Sequence, residues 1–548
     1  MRFCIQKDRP VSDLLSLNVT RETTILRQAS EMRHSGRTSV VVTQYKGVVM
    51  RLGPAIVFAL LLCAPITASE PIDIGTRLEL MIDDYLIGSM DKSLHLQLHK
   101  PIRRNVAVVT DEPWEGNACG YSSFFQDGDR YRMYYGIHHY VNNKGKLVYP
   151  HQPYTCYAES RDGIHWTKPK LGLVEFNGSK QNNIVLAAGS IKEIPIDPSH
   201  IAVFKDANPQ CPPEAKYKAV IRAGNADALY ALKSSDGFHF SPLSHQLILT
   251  DGVFDSQNLA FWDSVRGEYR AYFRDFSYGI RGIKTATSQD FLNWSESEWL
   301  VFPNAPNEHL YTNQITPYDR APHIFFGFPM RYTDRGWVDS TGKLPHPELR
   351  RQRADASPRY GSAVTDGLLM TSRNAITFKR WGEAILRPGP SRTNSWVYGD
   401  NNISWGILNT ESDQPAAPPE LSIFATEGYW TGKSQNLRRY SIRVDGFVSI
   451  QAPLDGGEFV TKPLVFAGDN LVINYSTSGA GGIWVEIQDS NGQPLENYTE
   501  ADCHEVFGDE IQRKVAWKRR DNVKHLASTP VRLRFVLKDA NLFSFRFR

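Results

Sequence analysis

The chain has 548 residues, 41% apolar, 22% charged and 11% aromatic, with 40 glycines, 32 prolines and a net charge of +3. That length exceeds one ordinary domain, and the composition is globular rather than disordered or collagen-like. The near-neutral balance, with no dense basic tract interleaved with aromatics, argues against a nucleic-acid partner.

Residues 1–49 carry eight Lys/Arg against four Asp/Glu without a sustained apolar period, and read as a non-structural extension. Then come Met50-Arg51, an apolar run from Ala55 to Ala64, and Thr67-Ala68-Ser69. A basic start, an apolar centre and small residues at the end make residues 50–69 a secretory signal peptide. Two origins fit the first 49 residues: upstream sequence read in frame before a true start at Met50, or a genuine extension. As a helix the apolar run spans about 15 Å, half of a ~30 Å hydrocarbon core, so no stable membrane span is expected. The expected location is secreted or periplasmic. Cleavage would leave Cys119, Cys156, Cys211 and Cys503, in no metal-ligand spacing and open to three full disulfide connectivities.

Two period-two stretches open the mature chain, Arg77 to Ile87 and Leu94 to His99. One of them is expected to complete the last repeat described next. Between Gly120 and Arg443 a unit recurs. Its first mark is an aromatic strand: YRMYYG at Tyr131, YKAVIRAG at Tyr217, YRAYFRDF at Tyr269, HIFFGFP at His323 and LSIFATEGYW at Leu421. Its second is a tight turn: SRDGIHW from Ser160, SSDGFHF from Ser234, TSQDFLNW from Thr287 and TSRNAITF from Thr371, with YSIRVDGF from Tyr440 as a looser fifth. Ser and Asp side chains bond turn N–H groups, and Gly supplies a positive φ. Asp162, Asp236 and Asp290 are therefore read as structural. Five such units predict an all-β chain, with a five-bladed β-propeller over 70–450. From about Gly456 the turn motif stops and alternating strands follow, with Asn491-Gly492 as a hairpin signal, so 451–548 is expected to be a β-sandwich.

With these repeats the chain resembles the five-bladed propeller glycosidases of the arabinanase, levansucrase and invertase type. It is similar also to secreted bacterial glycosyl-hydrolase-like proteins whose mature part opens on a segment like Met81-Ile82-Asp83-Asp84-Tyr85-Leu86-Ile87. The resemblance implies this fold and a carbohydrate substrate. Invertase-type enzymes use a nucleophile, an Arg-Asp-Pro motif and an acid Glu. Here Arg274-Asp275 matches Arg-Asp without the Pro, and the other two motifs are missing.

In a propeller the innermost strands line a funnel, and the segments preceding the aromatic strands are rich in polar groups. They are Trp114-Glu115-Gly116-Asn117, Asp255-Ser256-Gln257-Asn258, Glu308 to Gln314 and Tyr398 to Asn402, with a poorer counterpart near Ser199-His200. Glycoside hydrolysis needs two carboxyls flanking the scissile bond, one protonated. The candidate catalytic acids are Asp255, Asp400, Glu308, Glu115 and Asp275. Asp255 is either a base or nucleophile or a strand-start cap. Asp400 is a funnel acid or a turn residue, Glu308 a proton donor or a solvated acid, and Asp275 a funnel acid or half of an ion pair with Arg274. Candidate substrate-binding residues are Trp114, Asn117, Asn258, Arg274, Tyr311, Asn313, Arg331, Tyr398, Glu427 and Trp430. The insertion from Arg331 to Arg359, with seven Lys/Arg against four Asp/Glu, is either an acidic-sugar contact or a solvated helix-like loop. His138, His139 and His151 lack zinc spacing, and no cofactor is expected; a calcium ion in the central channel fits the architecture without a signature. The function expected is a secreted glycoside hydrolase. The rival is a non-catalytic carbohydrate-binding propeller using Trp114, Tyr311, Trp396 and Trp430. A six-bladed sialidase-like reading is disfavoured by five units and by the turn spacing.

Overall fold

The computed structural model describes residues 70–548, so the expected signal peptide at 50–69 and the stretch before it lie outside the described residues. The described chain is nearly all β. Five antiparallel sheets follow one another. The first has Tyr121–Asp127, Arg130–Ile137, Tyr154–Ser160 and Trp166–Thr167, with Ile184–Ala187 also paired to its third strand. The second has Ile196–Lys205, Tyr217–Ala223, Leu229–Ser234 and Ser241–Pro242; the third Leu259–Asp263, Glu268–Ser277, Ile280–Ser288 and Glu298–Trp299. The fourth has Thr316–Tyr318, Ala321–Gly327, Met370–Ser372 and Lys379–Arg380, beside a three-stranded sheet of His309–Leu310, Met330–Asp334 and Ala363–Gly367. The fifth has Leu408–Thr410, Glu420–Glu427 and Asn436–Arg443.

Each sheet buries both faces against its neighbours. Tyr134 and Val203 share a core between the first and second sheets, and Phe204, Phe261 and Phe325 between the second, third and fourth. Phe326 and Ile423 join the fourth to the fifth. Phe124 stacks on Phe424 at 4.2 Å and so joins the fifth back to the first.

The repeated turn forms as its chemistry dictates. Asp162 Oδ1 accepts from the N–H groups of Ile164 and His165, both at 2.8 Å, and Ser160 Oγ accepts from Gly163. Asp236 and Asp290 repeat the pattern, and Asn374 replaces Asp in the fourth unit. Where Gly is missing, Phe291 and Ala375 still take φ of +69°. The fifth counterpart differs. Asp445 is fully buried and accepts from Tyr318 (2.6 Å), Arg320 (2.9 Å), Ser544 (3.0 Å) and Asn474 (3.2 Å). It ties the fifth sheet to the fourth and to the C-terminal strands instead of closing its own turn.

The closing strand also differs from expectation. Ile102–Val109 pairs antiparallel with Asn436–Arg443 and completes the fifth sheet. The two period-two stretches go elsewhere: His95–Leu98 pairs with Val448–Ala452, Glu79–Leu80 with Val531–Phe547, and Ile87–Met90 with Gly457–Thr461. Their alternating apolar side chains suit the C-terminal sheet, whereas in Ile102–Val109 only Val108 is buried, so that edge strand has little pattern to read. The ten-stranded C-terminal sheet is built on two long paired strands, Leu471–Asp489 and Val531–Phe547. The Asp83-Asp84-Tyr85 segment docks on the fourth sheet through Arg373, which reaches Asp83 at 2.8 Å and Glu79 at 2.7 Å.

The Arg-rich insertion folds as short helices, Asp339–Gly342, Pro347–Ala356 and Arg359–Ser362, with Pro347 at the first helical position. Cys119, Cys156, Cys211 and Cys503 are free. Among the described residues no helix is long and apolar enough to cross a membrane.

Candidate functional site

The first strand of each sheet starts near one place. A neutral polar network stitches these strands together: Gln257 Nε2 donates to Ser123 Oγ and to Ile201 O, both at 3.3 Å, and Gln314 Nε2 to Gln257 Oε1 at 2.8 Å. Thr312 Oγ1 donates to Asn402 Oδ1 at 3.2 Å. Ser256 Oγ, Asn258 Oδ1 and Gln314 Oε1 are buried without a partner among the described residues. Three neutral oxygens suit ordered water. They do not fit calcium, which wants six to eight oxygens including carboxylates; among the described residues no cluster of His, Cys, Asp or Glu could hold a metal ion.

Beside this network lies a bowl walled by aromatic rings. Tyr398 packs against Tyr311 (6.0 Å), Tyr360 (5.6 Å) and Tyr429 (5.8 Å), and Tyr121 packs against His200 (5.1 Å). Asp255 stands in it, in the bend before Leu259–Asp263, with a side chain 57% exposed although protein surrounds it on most sides. His200 Nε2 lies 3.4 Å from Asp255 Oδ1, and Arg274 Nη2 3.6 Å from Oδ2. Enclosure works to raise the Asp255 carboxyl. The His200 bond and the charges of His200, Arg274 and Arg222 outweigh it and hold the group well below the usual carboxylate range. His200 is itself gripped from behind by Asp197, 3.0 Å from Nδ1. Burial opposes its charge, but the two aspartates lift it to about 9, so it is a cation at neutral pH.

Asp400 has the opposite environment. It is buried and accepts the Tyr429 N–H at 2.8 Å. Burial lifts its carboxyl to about 8, with the Glu427 charge adding to the effect and Tyr429 and Arg353 opposing it, so it keeps its proton at neutral pH.

The remaining predicted acids do not join the bowl. Glu115 is buried on Lys168 (2.6 Å), and it also accepts from Tyr135 and the Glu112 N–H. Glu308 lies between Arg331 (3.0 Å) and Arg380 (2.6 Å). Asp275 pairs with Lys284 at 3.1 Å rather than with Arg274. Glu427 is held by Arg438 (2.7 Å), Arg103 (3.0 Å) and Arg392 (3.4 Å). Each is paired with a cation, Asp275 and Glu427 with one on the next strand and Glu115 and Glu308 with one more than fifty residues on, which corrects the expectation that they line a common hollow.

Of the predicted binding residues, the structure brings Arg274, Tyr311 and Tyr398 to the bowl. Trp430 is buried behind it, 5.5 Å from Tyr360 and under Arg353. Arg331 spends its donors on Asp366, Glu308 and Gly382 O. Asn117 bonds Tyr140 and Gly432, Asn313 bonds Tyr272 O, and Asn258 bonds Phe254 O and Ser256 O, all as internal ties. Trp114 donates to Asn183 and packs against Phe176. Asp197, His200, Tyr121, Arg281, Arg359 and Tyr429 were not among the predicted residues. Asp197 and His200 had a readable signal, a polar Asp-Pro-Ser-His at the start of an inner strand, and Arg359 ends the insertion read as an acidic-sugar contact or a solvated loop.

No protein-family model and no curated protein matches the sequence. Among solved structures the chain is similar to an endo-arabinase from Bacteroides thetaiotaomicron VPI-5482, at 11% identity over 63% of this chain and 97% of that one, with a TM-score of 0.38. It is similar also to the catalytic domain of the Coprinopsis cinerea GH62 alpha-L-arabinofuranosidase, at 7% identity over 63% and 97%, with a TM-score of 0.39. A third is an N-acetylgalactosamine deacetylase from F. plautii, at 13% identity over 63% and 94%, with a TM-score of 0.38.

Proposed function

We propose that the chain is a secreted glycoside hydrolase built on a five-bladed β-propeller. The blades are the five sheets, closed by Ile102–Val109, and the C-terminal part from about 451 is a β-sandwich that borrows strands from residues 72–98. The cores that run from each sheet to the next and from the fifth back to the first support this reading. The basic, apolar and small-residue pattern at 50–69 supports secretion.

The observation that carries the function is Asp255, an ionised, water-accessible carboxylate among aromatic rings at the meeting point of the inner strands. Such rings offer faces on which sugars stack. Asp255 acts as the nucleophile or as the base for a water. Its separation from the proton donor decides which, about 5 Å for the first and about 6.5–9.5 Å for the second. We assign Asp400 as the donor because it holds the backbone of Tyr429, whose ring packs on Tyr398 in the wall of the bowl, and because burial favours its protonated form. Two carboxyls driven apart by their surroundings are the usual basis of such an acid–base division. Asp255→Asn and Asp400→Asn should each lower product release from a glycan panel by roughly 10²–10⁴-fold while the protein stays folded. Full activity in both variants overturns the assignment.

A second reading, non-catalytic carbohydrate binding, is favoured by the ion pairs at Glu115, Glu308, Asp275 and Glu427. It predicts glycan binding by the wild type without product.

A further inference from the structure

We propose that the bowl takes a negatively charged sugar, and that Arg281 and Arg359, with Arg274 behind them, hold its carboxylate or sulfate. The inference rests on reading the bowl as a glycan site and adds the charge of the ligand.

Arginines elsewhere in the described chain are commonly paired with carboxylates. Arg331 grips Asp366 and Glu308, Arg380 grips Glu308, and Arg373 grips Glu79 and Asp83. The bowl breaks this habit. Among the described residues no carboxylate lies within 4 Å of Arg281 or Arg359. Arg281 sits over the rings of Tyr311 (5.2 Å) and Tyr332 (5.0 Å), and Arg359 over Tyr360 (4.9 Å) and Tyr398 (5.8 Å). Arg274 is 3% exposed, and its Nε and Nη1 have no partner. Its nearest carboxylate oxygen, on Asp255, is beyond hydrogen-bond distance at 3.6 Å.

Three guanidinium groups thus cluster on adjoining tyrosine rings: Arg274 and Arg281 both lie over Tyr311, and Arg359 over Tyr398, whose ring is 6.0 Å from that of Tyr311. They are close enough to feel each other: burial, and then the charges of Arg274 and Arg359, make Arg281 easier to deprotonate than an ordinary arginine. Ring faces compensate a cation only in part. Withdrawing guanidinium donors from water without partners is unfavourable. A planar carboxylate or a sulfate presents oxygens that match the guanidinium fork. Arg281 Nη1 and Arg359 Nη2 now make single long bonds, to His309 Nδ1 and Tyr360 OH at 3.4 Å; a ligand bearing such a group would supply stronger acceptors, and the field of the bowl would draw it in.

The test is titration calorimetry of the full chain with galacturonate, glucuronate and galactose 6-sulfate against galactose and glucose, at low salt. Charged probes should bind at least tenfold tighter than neutral ones and weaken as salt is raised. Preference for the uronates over the sulfate identifies the carboxylate, and the reverse identifies the sulfate. Arg359→Gln and Arg281→Gln, each checked by its melting curve, should weaken the charged probes five- to tenfold more than the neutral ones. Equal affinity for charged and neutral sugars, binding of none of the probes, or equal losses for both classes in the variants overturns the proposal. Charge-selective binding without turnover would instead count against the hydrolase reading alone. Turnover of neutral glycans without charge selectivity would count against this inference alone.

Discussion

The aspartates of the repeated turns and the aspartate of the bowl are ionised for different reasons. Asp162, Asp236 and Asp290 are held low mainly by N–H groups and side chains within three residues of themselves, Asp290 at about 2. Asp255 is held low by His200 and Arg222 of the second sheet and Arg274 of the third. The turn aspartates are satisfied locally and leave nothing for a ligand. The bowl aspartate is held further into its charged form by groups that separate sheets bring together, and it remains open to water. A repeated acid therefore marks architecture, and an unrepeated acid at a strand start marks the place to look for chemistry.

That contrast can be broken or sharpened by substitution. Asp445, the fifth counterpart of the turn acids, should behave as neither class. Asp445→Ala leaves Arg320, Tyr318, Asn474 and Ser544 facing an empty buried site. It should cost about 3–5 kcal/mol in urea unfolding. The bowl should also show itself in the pH dependence of stability. His200 titrates near 9 in the folded protein, above its ordinary 6.5. Its contribution is therefore fully present below about 6.5 and is lost as pH rises through about 9. Between pH 6 and pH 9.5 the wild type should lose on the order of 2–3 kcal/mol from this group, and His200→Gln should remove that part, leaving the loss that Asp400 contributes as pH rises towards about 8. Smallest is the turn class: Asp162→Ala removes two backbone bonds and should cost about 1–2 kcal/mol without touching turnover.

The turns and aromatic strands were legible because local chemistry alone sets them, and even Phe291 and Ala375 keep the geometry that Gly would take. The closing strand was not, because Ile102–Val109 lies at an edge and buries only Val108. In the bowl, Asp255, Tyr311 and Tyr398 could be singled out from the polar runs before the aromatic strands, and Arg274 from the Arg274-Asp275 match. The partners of Glu115 and Glu308 could not, since Lys168 and Arg380 come from distant stretches that only the folded chain brings near. Arg359 closes the insertion that was read as either an acidic-sugar contact or a solvated loop. Arg281 was illegible for the converse reason: a sequence does not reveal which arginines will lack a carboxylate.

The most direct measurement compares Asp255→Asn with Asp162→Asn for glycan turnover and for melting temperature, in one preparation. Asp255→Asn should lose turnover and stay folded, while Asp162→Asn should keep turnover and melt lower than the wild type. An Asp255→Asn protein that cleaves glycans at the wild-type rate would contradict this expectation.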